Sequence, residues 1–153
     1  MRHPAARERR LKVVERSAIV PYSAQQMYDL VNDVAAYPQF LPWCRAARID
    51  AVSPTEAMAT IAIARGMLRT EFTTRNLLVP GADIAMHLLR GPFKNLTGHW
   101  QFSPIGARGS RVGFRVEFEF KNALTAVAFN PIFEMLCGTI VEAFTARARQ
   151  IYA

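Results

Sequence analysis

Cysteine is scarce in this chain. Cys44 and Cys137 stand alone with no CxxC spacing, which excludes a disulfide scaffold and a cysteine-built zinc site. Each thiol reads as a small buried hydrophobe. Histidine is limited to His3, His87 and His99, without ligand spacing. His87 lies between Met86 and Leu88, and His99 between Gly98 and Trp100, so both fall on the polar side of an alternating strand. No glycine-rich phosphate loop, Ser-His-Asp set or carboxylate pair is present, so no catalytic residue and no metal ligand is assigned. No uninterrupted apolar run reaches the roughly 18 residues that a membrane span needs. The opening MRHPAARERRLK has no apolar core behind its positive charge, which argues against a secretory signal. Glu8 and the lack of serine before Ser17 argue against an organellar transit peptide.

What is present is a greasy, basic chain. Hydrophobic residues make up 51% and charged residues 20% of 153 positions, the profile of one globular domain. Nineteen Lys and Arg against twelve Asp and Glu give a net charge of +7. Arg2, Arg7, Arg9, Arg10, Lys12 and Arg16 outweigh Glu8 and Glu15 at the start. Residues 1–11 therefore read as a flexible basic arm and residues 12–153 as a single domain. Charge of this sign attracts RNA, ribosomes or anionic lipid, and it equally suits a solvated tail. The cysteine usage fits a reducing interior, so a cytoplasmic location is expected, with peripheral contact at the inner membrane.

The hydrophobic pattern alternates between periods. Lys12 to Val20 reads as a first strand ending at Pro21. Ser23 and Gln26 form a capping box, and Met27, Leu30, Val31 and Val34 then make one apolar helical face. Tyr37-Pro38, Phe40, Leu41 and Pro42-Trp43 follow as a proline-stiffened short second helix or turn, unusually greasy for a connector. Asp33 is positioned to anchor that turn with its carboxylate. From Arg45 to Lys121 the period is two, with strands near 45–53, 56–65, 67–79, 82–90, 94–104 and 110–121. They are separated by Ser53-Pro54, Gly66, Pro80-Gly81, Gly91-Pro92 and Gly106 to Gly109. Links this short imply an antiparallel meander. Glu71 with Arg69, or with Arg75, makes an exposed pair on one strand face. After Ala123 the period is helical. Ile132, Met135, Leu136, Thr139, Ile140, Ala143 and Phe144 form the expected core stripe, with Phe133, Cys137 and Val141 off it, and Pro131 starts or kinks the helix. Helices segregated from an antiparallel sheet define an α+β fold.

The string PYS-x-x-x-M-Y-x-L-V-x-D-V-x-x-YP-x-FLPWC, with F72-T-T-R-N76, G91-P-F93 and G98-x-W100-x-F102-x-P104, resembles the coenzyme Q-binding START-like family. That family includes bacterial ribosome-association toxins, and the resemblance covers about Lys12 to Tyr152. It implies a helix-grip fold: a seven-stranded curved antiparallel sheet wrapped around the long C-terminal helix, two short helices after strand 1, and an apolar cavity between. It also implies ubiquinone, an isoprenoid quinone, as bound ligand with no cofactor required, and a role as quinone chaperone or carrier in respiration. The alternative it carries is a toxin that binds the large ribosomal subunit and blocks subunit joining. Because aromatase/cyclases share the fold, an inward-facing pair of titratable residues would point to an enzyme instead.

Candidate cavity residues are Phe40, Leu41 and Trp43 from the stiff segment, Phe72, Asn76, Met86, Phe93, Trp100, Phe114 and Phe118 from the strands, and Phe129, Phe133, Leu136 and Ile140 from the last helix. Aromatic and methionine side chains offer area and adaptable shape to a flat apolar guest; they equally fill an ordinary core. Asn76 shares a strand face with Phe72 and would donate to a quinone carbonyl.

Overall fold

A computed structural model describes residues 11–152; the basic arm expected at 1–11 lies almost wholly outside the described residues. The chain runs β1 (Lys12–Val20), α1 (Ala24–Asn32), a 3-10 helix (Val34–Gln39), β2 (Cys44–Ser53), β3 (Glu56–Arg65), β4 (Leu68–Val79), β5 (Asp83–Arg90), β6 (Phe93–Ile105), β7 (Gly109–Phe120) and α2 (Ala123–Ile151). All seven strands join one antiparallel sheet in the order β1-β7-β6-β5-β4-β3-β2, curved around α2. The expected strand borders stand within one or two residues.

α1 begins where the capping box sets it. Ser23 Oγ accepts from the Gln26 amide at 3.0 Å, and Gln26 Oε1 accepts from the Ser23 amide at 2.9 Å. Its apolar face, Met27, Leu30 and Val31, is buried. At its end, Asp33 acts through its backbone and not its carboxylate. Its amide donates to Asp29 O at 3.1 Å, its carbonyl accepts from Ala36, and the side chain makes no cap.

Alternation sets the faces of the sheet. Val112, Phe114, Val116, Phe118 and Phe120 of β7 are buried on the concave side, as are Leu96, Gly98, Trp100 and Phe102 of β6. The outer side carries the charges. Arg75 pairs across the strands with Glu56 at 2.9 Å rather than with Glu71, because Met58 opposite Arg75 puts Glu56 two residues along on the same face. His87 is exposed, and His99 Nε2 faces Asp83 Oδ1 at 3.2 Å on that outer side.

α2 is rotated from the expected stripe. Phe133, Leu136, Cys137, Val141, Phe144 and Ala148 are its buried residues, whereas Met135 is 42% exposed and Thr139 points outward. Asn122 Oδ1 caps the helix by accepting from the Thr125 amide at 2.8 Å. Pro131 therefore sits well inside the helix and starts nothing. The missing amide leaves the Val127 carbonyl without its i+4 partner, in a stretch exposed enough for water to supply one. α2 packs against β1, β7 and α1. It stands away from β2 to β4, and that gap creates the site.

Candidate ligand cavity

Five strands, β3 to β7, and one helix wall an apolar cavity of about 90 Å³ between the sheet and α2. Phe72 and Asn76 of β4, Met86 of β5, Trp100 of β6 and Phe114 of β7 line it from the sheet. Phe133, Leu136 and Ile140 line it from α2, and Trp43 from the stiff segment. Trp43, Ile61 and Ile140 are only half-buried, so the rim lies between α2 and the β2–β3 side. A larger groove of about 410 Å³ runs between β1 and α2, but Arg16, Glu142 and Arg149 make it wet and open. Size alone therefore does not select the site; the apolar lining does.

Five of the residues expected at the cavity lie off its wall. Phe40 packs edge-on against Phe144 at 5.2 Å, beneath the Arg147 guanidinium at 5.1 Å, because the 3-10 helix carries it past the rim. Leu41 is 1% exposed and fills the core under that helix. Phe93 stacks on Phe120 at 4.7 Å and meets Phe133 at 5.1 Å. Phe118 meets Phe133 at 4.7 Å, and Phe129 leans on Phe120 at 6.1 Å. Phe93, Phe118, Phe120 and Phe129 form an aromatic plug where β6 and β7 meet α2, packed behind Phe72 and Phe133 of the cavity wall.

The wall also contains residues that pattern reasoning passed over: Val34, Tyr37, Ala59, Ile61, Ile63, Thr74, Leu96, Gly98, Val116 and Cys137. Thr74 was legible, since it alternates between Phe72 and Asn76. Gly98 acts by what it leaves out: Met86 opposes it in the register, and the Met86 terminal methyl occupies the space a Cβ there would take. Gly91 serves a similar purpose at the β5–β6 turn. At φ 149° its missing Cβ would stand 2.7 Å from Phe72 Cβ, so only glycine lets the turn close over that ring.

Polar groups on the wall are few. Thr74 Oγ1 donates to Asn76 Oδ1 at 2.7 Å, and both residues are buried. Among the described residues nothing accepts from the Asn76 Nδ2, which leaves two N–H donors on an otherwise greasy surface. The titratable groups lining the cavity are Tyr37 and Cys137. Burial pushes both well above their ordinary range, and the Tyr37 hydroxyl donates to the Val31 carbonyl. Both are therefore neutral near pH 7. Among the described residues no group of three or more His, Cys, Asp or Glu gathers to hold a metal.

A curved antiparallel sheet gripping one long helix around an apolar cavity defines a START-like, helix-grip protein. Residues 20–145 match the family described as polyketide cyclase / dehydrase and lipid transport, and the chain belongs to it. It is 44% identical to the ribosome association toxin RatA of Escherichia coli K12 over 140 residues, covering 92% of this chain and 89% of that protein. It is 28% identical to the mitochondrial coenzyme Q-binding protein COQ10 of Drosophila melanogaster, across 86% of this chain and 56% of that protein. Among solved structures, the Zhui aromatase/cyclase of Streptomyces sp. R1128 superposes with a TM-score of 0.82. It covers 94% of this chain and 96% of its own, and at 16% identity that likeness is one of fold.

Proposed function

We propose that this protein is a non-catalytic binder of a flat, apolar ligand, and that the ligand is the ring of an isoprenoid quinone such as ubiquinone. One observation carries the reading: a nearly all-apolar wall that presents a single free pair of N–H donors, on Asn76, where a quinone carbonyl needs one. The likeness to a coenzyme Q-binding protein supports it. The cavity is smaller than the ~150 Å³ void that holds benzene in an engineered core. A ring therefore enters by displacing side chains, and the unbranched Met86 thioether is suited to giving way. Burial from water, at roughly 25 cal/mol per Å² of apolar area, supplies the driving force. A carrier of this kind would serve respiration from the cytoplasm, at the face of the inner membrane. Protein purified from cells making quinone is to be extracted with organic solvent. Recovery of an isoprenoid quinone in near-stoichiometric amount is expected; none recovered, even with the quinone pathway co-expressed, overturns the reading.

A second reading is association with the large ribosomal subunit. The 44% identity to proteins named ribosome association toxins favours it, more strongly than the 28% identity favours the first. The net charge of +7 supplies attraction to rRNA that weakens steeply with salt. Co-sedimentation with 50S particles at low salt is expected on this reading. Protein that stays at the top of the gradient at low and moderate salt removes it. The two readings use different surfaces, one inside and one outside, and are compatible.

A further inference from the structure

Leu124, Val127, Pro131 and Met135 recur at i, i+3, i+7 and i+11 and so share one face of α2, opposite the buried Phe133. That face is bare: Leu124 is 83% exposed, Val127 78% and Met135 42%. The β3–β4 turn lies against the same helix, a Cβ on Gly66 meeting Ile132 Cδ1 at 3.9 Å, and it holds out Met67, 87% exposed. No charged residue interrupts the helix from Ala123 to Phe133. α2 is long and apolar enough to cross a bilayer by length and composition, yet only 22% of its most apolar stretch is buried in the fold.

Most of the unpaired charges around this ridge are positive. In an antiparallel meander the turns at 65–68, 90–93 and 120–123 fall at one end of the sheet, together with the starts of β1 and β2. Arg45, Arg65, Arg69, Arg90 and Lys121 stand exposed there, and among the described residues none of them is in an ion pair. Two nearby carboxylates are already answered, Glu134 by Lys12 and Glu119 by Lys94, both at 3.7 Å; Glu71 is the remaining acid. The turns at the other end, 53–56, 79–83 and 105–109, set Glu56 and Asp83 against Arg108.

We infer that this end of the molecule docks on an anionic lipid bilayer. Met67, Leu124 and Val127 enter the boundary between headgroups and acyl chains, while Arg65, Arg69, Arg90 and Lys121 sit at the level of the phosphates. Apolar tips within a cationic ring match a surface that is negative outside and hydrocarbon beneath. An RNA surface would answer the cations but offers no depth for the three side chains. The inference stands on the outer surface and is independent of what the cavity holds.

Flotation of the full chain with vesicles tests it, using phosphatidylcholine alone and phosphatidylcholine with phosphatidylglycerol in equal parts. Wild-type protein is expected to float with the anionic vesicles and much less with the neutral ones. Met67→Ser/Leu124→Ser/Val127→Ser should cut the bound fraction about tenfold or more with an unchanged unfolding midpoint, because these side chains bury almost nothing. Arg65→Gln/Lys121→Gln should lower binding only where phosphatidylglycerol is present. Ile19→Ser, 69% exposed on β1 at the other end, should bind as wild type does. Failure of the wild type to float with anionic vesicles overturns the inference, as does a triple serine variant that floats as well as wild type. Vesicle binding that persists in that variant while its binding to ribosomal RNA is lost reassigns the face to RNA.

Discussion

The terminal methyl of Met86 stands where a side chain on Gly98 would be, on the next strand and directly across the register. The cavity owes part of its outline to that one absent methyl. Gly98→Ala should turn Met86 into the void. Because the clash is with the flexible end of a side chain, stability should change by less than about 1 kcal/mol, while the quinone retained on purification should fall several-fold. Thermal unfolding and quantified extraction of the same preparation check both halves.

The two tryptophans should separate by depth. Trp100 is 2% exposed, tilted against Phe114 at 4.5 Å and edge-on to Phe144 at 5.3 Å. Trp100→Ala should cost about 3–5 kcal/mol in denaturant unfolding. Trp43 is half-buried at the rim, so Trp43→Ala should cost about 1–2 kcal/mol and chiefly lower ligand affinity. Equal losses of stability would place Trp43 in the core and remove it as a gate.

The Thr74–Asn76 pair should decide which guest is held. Replacing both partners by apolar residues of similar shape, Thr74→Val/Asn76→Leu, leaves no orphaned polar group and should be nearly neutral for folding. Quinone affinity should drop about tenfold, the loss of roughly one hydrogen bond, while a saturated isoprenoid hydrocarbon should bind as before. Titration with each ligand reads the difference.

Alkali should destabilise the fold through its buried neutral groups. Burial raises the Cys137 and Tyr37 pKa values, and raises that of Cys44. In the unfolded chain the thiols ionise near pH 9 and the phenols near pH 10. Above pH 9 the unfolded state thus binds fewer protons than the folded one, and stability falls as pH rises. Well below pH 9 these groups contribute no slope. Cys137→Ala should flatten the alkaline limb, measured as the urea midpoint from pH 7 upward.

The strands were legible because each obeys a period of two and ends at glycine or proline. β3 falls on 56–65 in both readings, and β7 alternates through five inward apolar residues. Alternation reveals which face a residue takes but not how far along the strand the helix crosses it. Phe114 and Phe118 share a face, yet Phe114 lines the cavity and Phe118 belongs to the plug. The turn of α2 about its axis was hidden for a different reason. With Ile132, Phe133, Met135, Leu136, Cys137 and Ile140 spread around it, no single stripe outweighs the rest, and packing against β1 and β7 decides. Phe40 misled because a greasy, proline-flanked segment looks like a flap whether it faces a void or a neighbouring helix. Its partner Phe144 is distant in sequence.

The plug rings Phe93, Phe118 and Phe120 back the cavity wall at Phe133, where β6 and β7 meet α2. A chamber of about 90 Å³ shelters a head and not a tail. On the quinone reading, a long polyprenyl chain would therefore trail out past the half-buried Trp43 and Ile140, and the loaded protein would be greasier on its outside than the empty one. Loading and surface attachment would then reinforce each other, since whatever receives the tail also holds its bearer.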